Sequence, residues 1–268
     1  MTLAWGTNWF DPSDDVVIQP AAERARHWSR RYGRSDLPVA SHTLFVNNGL
    51  GRLFDAVCRA LDRQAAAAVD YRQQGYCHYD TESDAVTVYR AAEPAPYAAA
   101  DLDLLIDAGA RKIVFVNGTG SLRADLPVGT LLLPQELLRE EGTSYHYAPP
   151  EVRLRTDGPL NVRIRGAAEA LGIPLVPGAH WTTDAIYRET FAKVERYRAQ
   201  GIHSVEMELS ALAGAAHHRH CALSAILVVT DVLSRSHTWA GADTASFQAG
   251  VERAAELAAR VFLEPTSR

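Results

Sequence analysis

Lysine is almost missing from this chain of 268 residues, because Lys112 and Lys193 are the only lysines among its 27 basic residues. The 32 acidic residues outnumber the basic ones, and the formal net charge is −5. A protein that binds nucleic acid or an anionic membrane over a broad surface needs a basic stripe or patch. The composition therefore argues against nucleic acid and membranes as partners, whereas a small anion needs only a few local donors.

Cysteine is scarce as well, and Cys58, Cys77 and Cys221 do not form a CxxC pair. This number and spacing predict neither a disulfide framework nor a zinc site, and they suit a reducing compartment. The N-terminal residues MTLAWGTNWFDPSDD lack the basic and apolar regions of a signal peptide. No apolar run reaches the roughly 20 residues that a membrane-spanning helix needs. We therefore expect a cytoplasmic protein.

Short β-branched segments alternate with helical patterns through most of the chain. The predicted strands are 16–18, 85–90, 112–116, 129–133, 204–207 and 222–230. The predicted helices are 21–31, 97–108, 161–171, 187–198, 209–218 and 244–262. This alternation is typical of an α/β protein with a mixed, mostly parallel sheet that helices cover on both faces. Since no long linker interrupts it, we predict one domain over residues 1–268, with 1–13 and 264–268 loosely ordered.

Polar segments follow three of the predicted strands, which is where α/β folds place ligand sites. The first segment is Asn117–Ser121, NGTGS, whose glycines would let backbone N–H groups approach an anion or a sugar. A plain turn from strand to loop explains these residues equally well.

The second segment is Ser204–Glu208, SVEME, in which the carboxylates of Glu206 and Glu208 flank Met207. Its two carboxylates can accept hydrogen bonds from vicinal hydroxyls of a sugar, and the thioether can pack against the apolar face of the sugar. The alternative is an exposed helix start at which Glu208 complements the helix dipole.

The third segment is Thr230-Asp231, which follows a continuous apolar strand. An aspartate at a buried strand end can have a shifted pKa and can donate a proton to a leaving group. Capping of a helix or a turn is the alternative.

Two further patterns do not favour a site. The run HHRH at 217–220 ends a predicted helix, where cationic side chains suit the dipole, and it lacks carboxylates at ligand spacing, so we expect no metal. Ser121, His146 and Asp231 could form a hydrolase triad, but the chain has no G-x-S-x-G nucleophile elbow.

In this order, five stretches together resemble the nucleoside phosphorylase family, in its uridine-phosphorylase-like and hexameric purine-phosphorylase-like branch. They are RKIVFVNGTGSL (111–122), VGTLLLPQELLREEGTSYHYAPPEV (128–152), HWTTDAIYRET (180–190), GIHSVEMELSAL (201–212) and AILVVTDVLSR (225–235). The resemblance covers residues 85–235, which is over half of the chain. It implies a three-layer α/β/α sandwich around a mixed sheet, assembled as a homo-oligomer that is a dimer or a trimer of dimers.

The family's reaction is the attack of phosphate on C1′ of a nucleoside, through an oxocarbenium-like state, with release of the free base. A nucleosidase branch uses water instead. The resemblance implies a nucleoside as substrate, inorganic phosphate as co-substrate and no other cofactor.

The resemblance also assigns roles to residues. Glu206, Met207 and Glu208 would hold the ribose, with Glu208 taking its hydroxyls. Asp231 would protonate the leaving base, supported by Arg235. The residues that would read the base are Thr183, Ile186, Tyr187, Arg188 and Glu189. The segment GTSYHY at 142–147 is typical of the uridine branch, whereas Asp231 is typical of the purine branch, so the base stays open with a slight preference for a pyrimidine.

The phosphate site departs from the family pattern. Arg24 keeps the arginine of the N-terminal phosphate loop, but residues 19–23 lack the Gly-Asp-Pro turn that precedes it. Phe115 stands where the family has a phosphate-binding arginine. The neighbouring hydroxyl position falls on Gly118, with Thr119 one residue later.

A second phosphate segment of the family is altered too, because Ala92–Tyr97 has no glycine and adds Glu93. The loss of one charge-assisted hydrogen bond lowers affinity by roughly ten- to a hundred-fold. Three hypotheses follow: a phosphorylase with a rebuilt phosphate site, a nucleosidase or an enzyme of a modified nucleoside that does not use phosphate, and a non-catalytic nucleoside-binding protein. The first is preferred, and the retained Asp231 argues against the third, since binding alone needs no buried acid.

Overall fold

A nine-stranded mixed sheet forms the centre of the protein. The structure, a computed structural model, describes residues 9–47, 52–82, 84–234 and 244–263. Its strands are β1 (His42–Asn47), β2 (Ala65–Tyr71), β3 (Tyr76–Thr81), β4 (Ala85–Ala91), β5 (Lys112–Ser121), β6 (Leu131–Glu140), β7 (Leu175–Thr183), β8 (Ile202–Glu206) and β9 (Ala222–Val232). Its helices are α1 (Pro20–Tyr32), α2 (Leu53–Asp62), α3 (Ala95–Ala108), α4 (Ser144–Tyr147), α5 (Gly158–Leu171), α6 (Phe191–Ala199), α7 (Leu209–His218) and α8 (Ala245–Leu263).

The strand order is β2-β3-β4-β1-β5-β8-β7-β6-β9, and β9 also pairs with β5. Strands β5, β8, β7, β6 and β9 therefore close into a ring, from which β1, β4, β3 and β2 extend as an open sheet. The strand β5 runs parallel to β1 and β9, and its last two residues pair antiparallel with β8. The predicted mixed α/β fold is confirmed. The alternation of strands and helices does not predict the pairing of β5 with β9, which closes the ring.

Helices cover both faces of β5. Val114 and Val116 belong to an apolar cluster that includes Phe247 of α8. Ile113 and Phe115 belong to a second cluster that contains side chains of α3 and α7. Because successive side chains of a strand point to opposite faces, the two clusters lie on opposite sides of the sheet. The predicted sandwich of three layers is therefore confirmed.

The strand predicted at Val16–Ile18 is wrong. These residues form a bend before α1, and the relative exposure of Val17 is 101%. A β-branched run this short forms a strand only where a neighbouring strand supplies hydrogen bonds, and no described strand pairs with it.

The segment predicted as a loop at Asn117–Gly120 is the second half of β5. Here the parallel strand β9 continues the ladder, with Asn117 opposite Leu227 and Thr119 opposite Val229. The ladder shifts by one residue between Thr119 and Gly120, which is a β-bulge. Bulges re-aim side chains at the rims of closed sheets, and this bulge lies next to the candidate site.

The helix predicted at 187–198 is divided. A short 3-10 turn at Ile186–Arg188 precedes α6, which begins after Thr190. The Thr190 side chain accepts a hydrogen bond from the backbone N–H of Lys193 and thereby caps α6.

The predicted strand at 129–133 starts at Leu131, because Gly129 has a φ of +88°. Within the described ranges, no helix is both long and apolar enough to cross a membrane.

Candidate active site

A cavity of about 240 Å³ opens where β5, β8 and β9 meet. Gly120 of β5 pairs with Val205 of β8 and with Asp231 of β9. A Cβ at Gly120 would lie 2.5 Å from Cδ1 of Leu233, so a larger residue here would displace the Leu233 side chain. All three segments that the sequence predicts contribute to the cavity. Their lining residues are Asn117, Gly118, Thr119, Gly120, Val205, Glu206, Met207, Glu208, Thr230 and Asp231.

The Glu206 carboxylate is held by protein groups on both of its oxygens. Oε1 accepts a hydrogen bond from Thr182 Oγ1 at 2.8 Å and lies 3.0 Å from Nε2 of His180. Oε2 accepts from the backbone N–H groups of Glu208 and Leu209, at 2.8 and 2.9 Å. Burial opposes ionisation, but the hydrogen bonds, first of all that from His180, hold the pKa of Glu206 below its ordinary value. Glu206 therefore anchors the start of α7, and its contact with ribose stays a prediction.

The Glu208 carboxyl lies beside this anchor and is 4% exposed as a residue. Its Oε2 accepts a hydrogen bond from Nδ2 of Asn117 at 3.1 Å. Burial, and after it the charge of Glu206, raises the pKa of Glu208 to about 9. The carboxyl is therefore protonated at neutral pH. In that form it can donate one hydrogen bond and accept others, which suits a pair of vicinal hydroxyls.

Asp231 and Glu189 form part of the wall between this cavity and a second cavity. Oδ1 of Asp231 accepts a hydrogen bond from Oγ1 of Thr230 at 2.5 Å. Burial, followed by the charge of Asp231, raises the pKa of Glu189 to about 7, and Lys193 opposes this rise. An acid whose pKa lies near the working pH is suited to proton transfer. Glu189 can therefore give a proton at neutral pH, and the role of Asp231 as the acid stays a prediction.

The second cavity measures about 620 Å³, within the range of roughly 300–1,000 Å³ that is typical of small-molecule pockets. Most of its lining is apolar, and the residues are Ile186, Tyr187, Glu189, Phe191, Val194, Asp231, Leu233 and Ser234. Of the predicted base contacts, Ile186, Tyr187 and Glu189 therefore lie at a cavity. Thr183 and Arg188 line neither cavity, because Thr183 is buried with its hydroxyl against the N–H of Ala185 and Arg188 is exposed.

The predicted phosphate residues are not brought together. Gly118 and Thr119 line the first cavity, but the Thr119 hydroxyl donates to the carbonyl oxygen of Val205 at 2.8 Å. Arg24 lies on α1, forms an ion pair with Asp107 and does not line the cavity. Phe115 is completely buried in the apolar cluster between the sheet and helices α3 and α7.

Acidic side chains dominate the charge of the first cavity. It is lined by Glu93, Glu189, Glu206, Glu208 and Asp231, and by no lysine or arginine among the residues that the structure describes. Arg235, which the sequence assigns to the support of Asp231, lies outside the described residues. Like charges repel strongly at short range in a partly buried site, so the carboxylates that are ionised beside the protonated Glu208 disfavour a phosphate dianion.

Several site residues were not predicted from the sequence. Asn47 lines the cavity at the end of β1, a strand whose short run HTLFVN was not assigned. His180 and Thr182 reach Glu206 only through the pairing of β7 with β8. The alternation of side chains along a strand could have indicated this pair, since His180 and Thr182 are two residues apart and lie on the same face of β7. Across the described part of the chain, no group of three or more metal-binding side chains is arranged to hold an ion.

Curated relatives of this chain are nucleoside phosphorylases. Guanosine phosphorylase of Halorubrum lacusprofundi is 26% identical over 144 residues, which are 54% of this chain and 60% of that protein. Purine nucleoside phosphorylase DeoD-type of Streptococcus gordonii is 28% identical over 137 residues, 49% of this chain and 56% of that protein. Uridine phosphorylase of Salmonella typhimurium is 23% identical over 147 residues, 50% and 58% of the two chains. The chain thus spans a little over half the length of these relatives.

Solved structures with the same fold cover more of the chain. Purine nucleoside phosphorylase of Toxoplasma gondii, in complex with immucillin-H, matches with a TM-score of 0.72 at 18% identity and covers 84% of this chain and 90% of its own. AMP nucleosidase of Bacteroides thetaiotaomicron matches with a TM-score of 0.66 at 19% identity and covers 88% and 96%. At such identities the likeness establishes the fold alone.

The family model described as "Phosphorylase superfamily" matches residues 56–265, which is most of the chain. The matched range contains β5, β8 and β9, whose ends build the first cavity. The resemblance inferred from the sequence motifs is therefore confirmed, and this protein belongs to the phosphorylase superfamily, the family of the uridine and purine nucleoside phosphorylases.

Proposed function

We propose that the protein cleaves the N-glycosidic bond of a nucleoside, with water as the nucleophile. The observation that carries this proposal is the set of carboxyl groups around one cavity: Glu208 next to Met207, and Glu189 with Asp231. Glu208 suits the hydroxyls of the sugar, and the Glu189–Asp231 pair faces the larger apolar cavity that suits the base.

In the proposed reaction the oxygen of water bonds to C1′ while the bond from C1′ to the base nitrogen breaks. The electron pair of that bond stays with the base, which takes a proton from Glu189 as it leaves. The water loses its own proton to an ionised carboxylate of the cavity. The negative charge of Asp231 favours the protonated form of Glu189 before the base leaves, because two neighbouring carboxylates do not both ionise readily.

Water is favoured over phosphate by the charge of the cavity. Five acidic side chains line the described part of the cavity, and those that are ionised beside the protonated Glu208 make it negative. Arg24 is engaged by Asp107, and Phe115 takes the position of a family arginine. An acidic lining also stabilises the positive charge that develops on the sugar in an oxocarbenium-like transition state.

Phosphorolysis is the second candidate, because guanosine, purine nucleoside and uridine phosphorylases are among the curated relatives. In that reaction phosphate replaces water, and the sugar leaves as its 1-phosphate.

Purified protein incubated with a panel of purine and pyrimidine nucleosides, with and without phosphate, separates these reactions. The proposal predicts release of free base at the same rate in both buffers. Base release that requires phosphate and yields a sugar 1-phosphate would replace it by the second candidate. No release from any nucleoside would contradict both.

A further inference from the structure

A chain of buried hydrogen bonds runs from β7 to the sugar end of the cavity. The parallel register of β7 and β8 places His180 beside Ser204 and Thr182 beside Glu206. Nδ1 of His180 lies 2.8 Å from Oγ of Ser204, and Nε2 lies 3.0 Å from Oε1 of Glu206. The relative exposures of His180 and Ser204 are 1% each, and neither lines the two cavities.

The order serine, histidine, carboxylate is that of a hydrolase triad, yet burial excludes that chemistry here. A nucleophilic serine must reach the substrate, whereas Ser204 is buried and lines neither cavity. What the arrangement can do is fix the histidine ring. A proton on Nε2 is donated to Glu206, and Nδ1 then accepts from the Ser204 hydroxyl.

The same network holds α7 from a second direction. Oγ1 of Thr182 donates to Glu206 and accepts from the backbone N–H of Ser210 at 3.0 Å. The Ser210 hydroxyl donates to Oε1 of Glu141 at 2.8 Å. The first turn of α7 is thereby tied to β7 by Thr182 and to Glu141, which follows β6.

We propose that His180 is a positioning residue for the sugar site, which acts through Glu206 to set the place and direction of Glu208. The link is the pair of backbone N–H groups of Glu208 and Leu209, both of which donate to Oε2 of Glu206. If Glu206 turns, the backbone of Glu208 moves with it. The proposed contact of Glu208 with a sugar rests on the proposed function, whereas the effect on its position does not.

His180→Met removes the donor to Glu206 and keeps an apolar side chain of similar length. We expect KM for a cleaved nucleoside to rise about ten- to a hundred-fold, because a displaced Glu208 loses its hydrogen bonds with two sugar hydroxyls. We expect kcat to fall less, since the sugar contact exists in both the ground and the transition state. His180→Gln places an amide N–H near the former Nε2 and should restore most of the affinity.

Ser224→Ala is the matched control for lost stability. Its hydroxyl donates to Oδ1 of Asn161 in a buried polar pair, and neither residue lines the two cavities. This variant should unfold at a lower temperature while KM stays unchanged. The double variant His180→Met/Glu206→Gln should have a KM no higher than the worse single variant, because both changes break one connection.

Crystal structures of the wild type, His180→Met and Ser224→Ala provide a readout that needs no activity. The proposal predicts that only His180→Met displaces Glu208 and breaks its hydrogen bond with Asn117. A Glu208 carboxyl that stays in place in His180→Met, or a KM that rises equally in Ser224→Ala, overturns it. If the wild type cleaves no nucleoside but Glu208 moves in His180→Met, the proposed function fails and the positioning role stands.

Discussion

Asn117 of β5 donates a hydrogen bond from Nδ2 to Oε2 of Glu208 across 3.1 Å. The same Asn117 accepts a hydrogen bond at Oδ1 from the backbone N–H of Gly118, 2.7 Å away. Both ends of the amide are therefore occupied, which fixes its orientation without an external ligand. The end of a central strand thus holds the carboxyl group that we assign to the sugar.

Glu208→Gln should weaken sugar recognition selectively. The amide keeps the size of the side chain but cannot become an ion and presents its donor at a different atom. We expect kcat/KM for a ribonucleoside to fall about two- to ten-fold, since the protonated Glu208 makes neutral hydrogen bonds of about 0.5–1.5 kcal/mol. The fall should be much smaller for nucleosides that lack the vicinal hydroxyls. An equal fall for both kinds of substrate would place Glu208 away from the sugar.

Glu208→Gln should also change how stability depends on pH. The pKa of Glu208 is raised to about 9 in the folded protein, from an ordinary value of 4.5. Between these values the folded state retains a proton that the unfolded state has lost, so this group makes the folded protein less stable as pH rises. The free energy of unfolding of the variant, minus that of the wild type, should therefore increase from pH 4.5 to pH 9. Urea unfolding at several pH values measures this difference, and a constant difference would contradict the burial effect.

Glu189→Gln should remove the proton that the leaving base needs. Cleavage of a nucleoside should slow about 100- to 10,000-fold, the usual contribution of general acid catalysis. Para-nitrophenyl riboside is the matched substrate, because its phenolate leaves without a proton. The variant should cleave this riboside at nearly the wild-type rate. Equal losses on both substrates would show that Glu189 supports the site and does not donate a proton.

The pH dependence of kcat/KM should also show that cleavage requires protonated Glu189. Because the pKa of Glu189 is raised to about 7, its protonated form persists up to neutral pH. In the wild type kcat/KM should therefore fall as pH rises above about 7. Asp231→Asn removes a negative charge that raises this pKa, so the fall should begin at lower pH. An unchanged pH profile in Asp231→Asn would show that the charge of Asp231 does not raise the pKa of Glu189.

Much of the fold was predictable because some elements carry their own pattern. Helix α7 was predicted with its observed bounds, and the continuous apolar run of β9 identified a strand buried on both faces. Strand β2 was missed because AAAAVDY is rich in alanine, and β7 was missed because Pro177 and Gly178 interrupt it. Both strands are held by their neighbours, which local pattern does not reveal.

The candidate site was also predictable only in part. Segments that follow strands were found, since the ends of neighbouring strands meet. The Glu206–His180 contact depends on the register of two strands, and the split between α6 and the turn before it depends on the Thr190 cap. The homo-oligomer and the cytoplasmic location stay predictions.

The central claim is that water, and not phosphate, breaks the bond to the base. Cleavage of a nucleoside in phosphate-containing buffer made with water enriched in the heavy oxygen isotope tests it most directly, by mass spectrometry of the sugar product at early times. The account predicts free sugar that carries the heavy oxygen at C1 when the reaction is stopped before the free sugar exchanges with solvent. A sugar 1-phosphate without the label would contradict it.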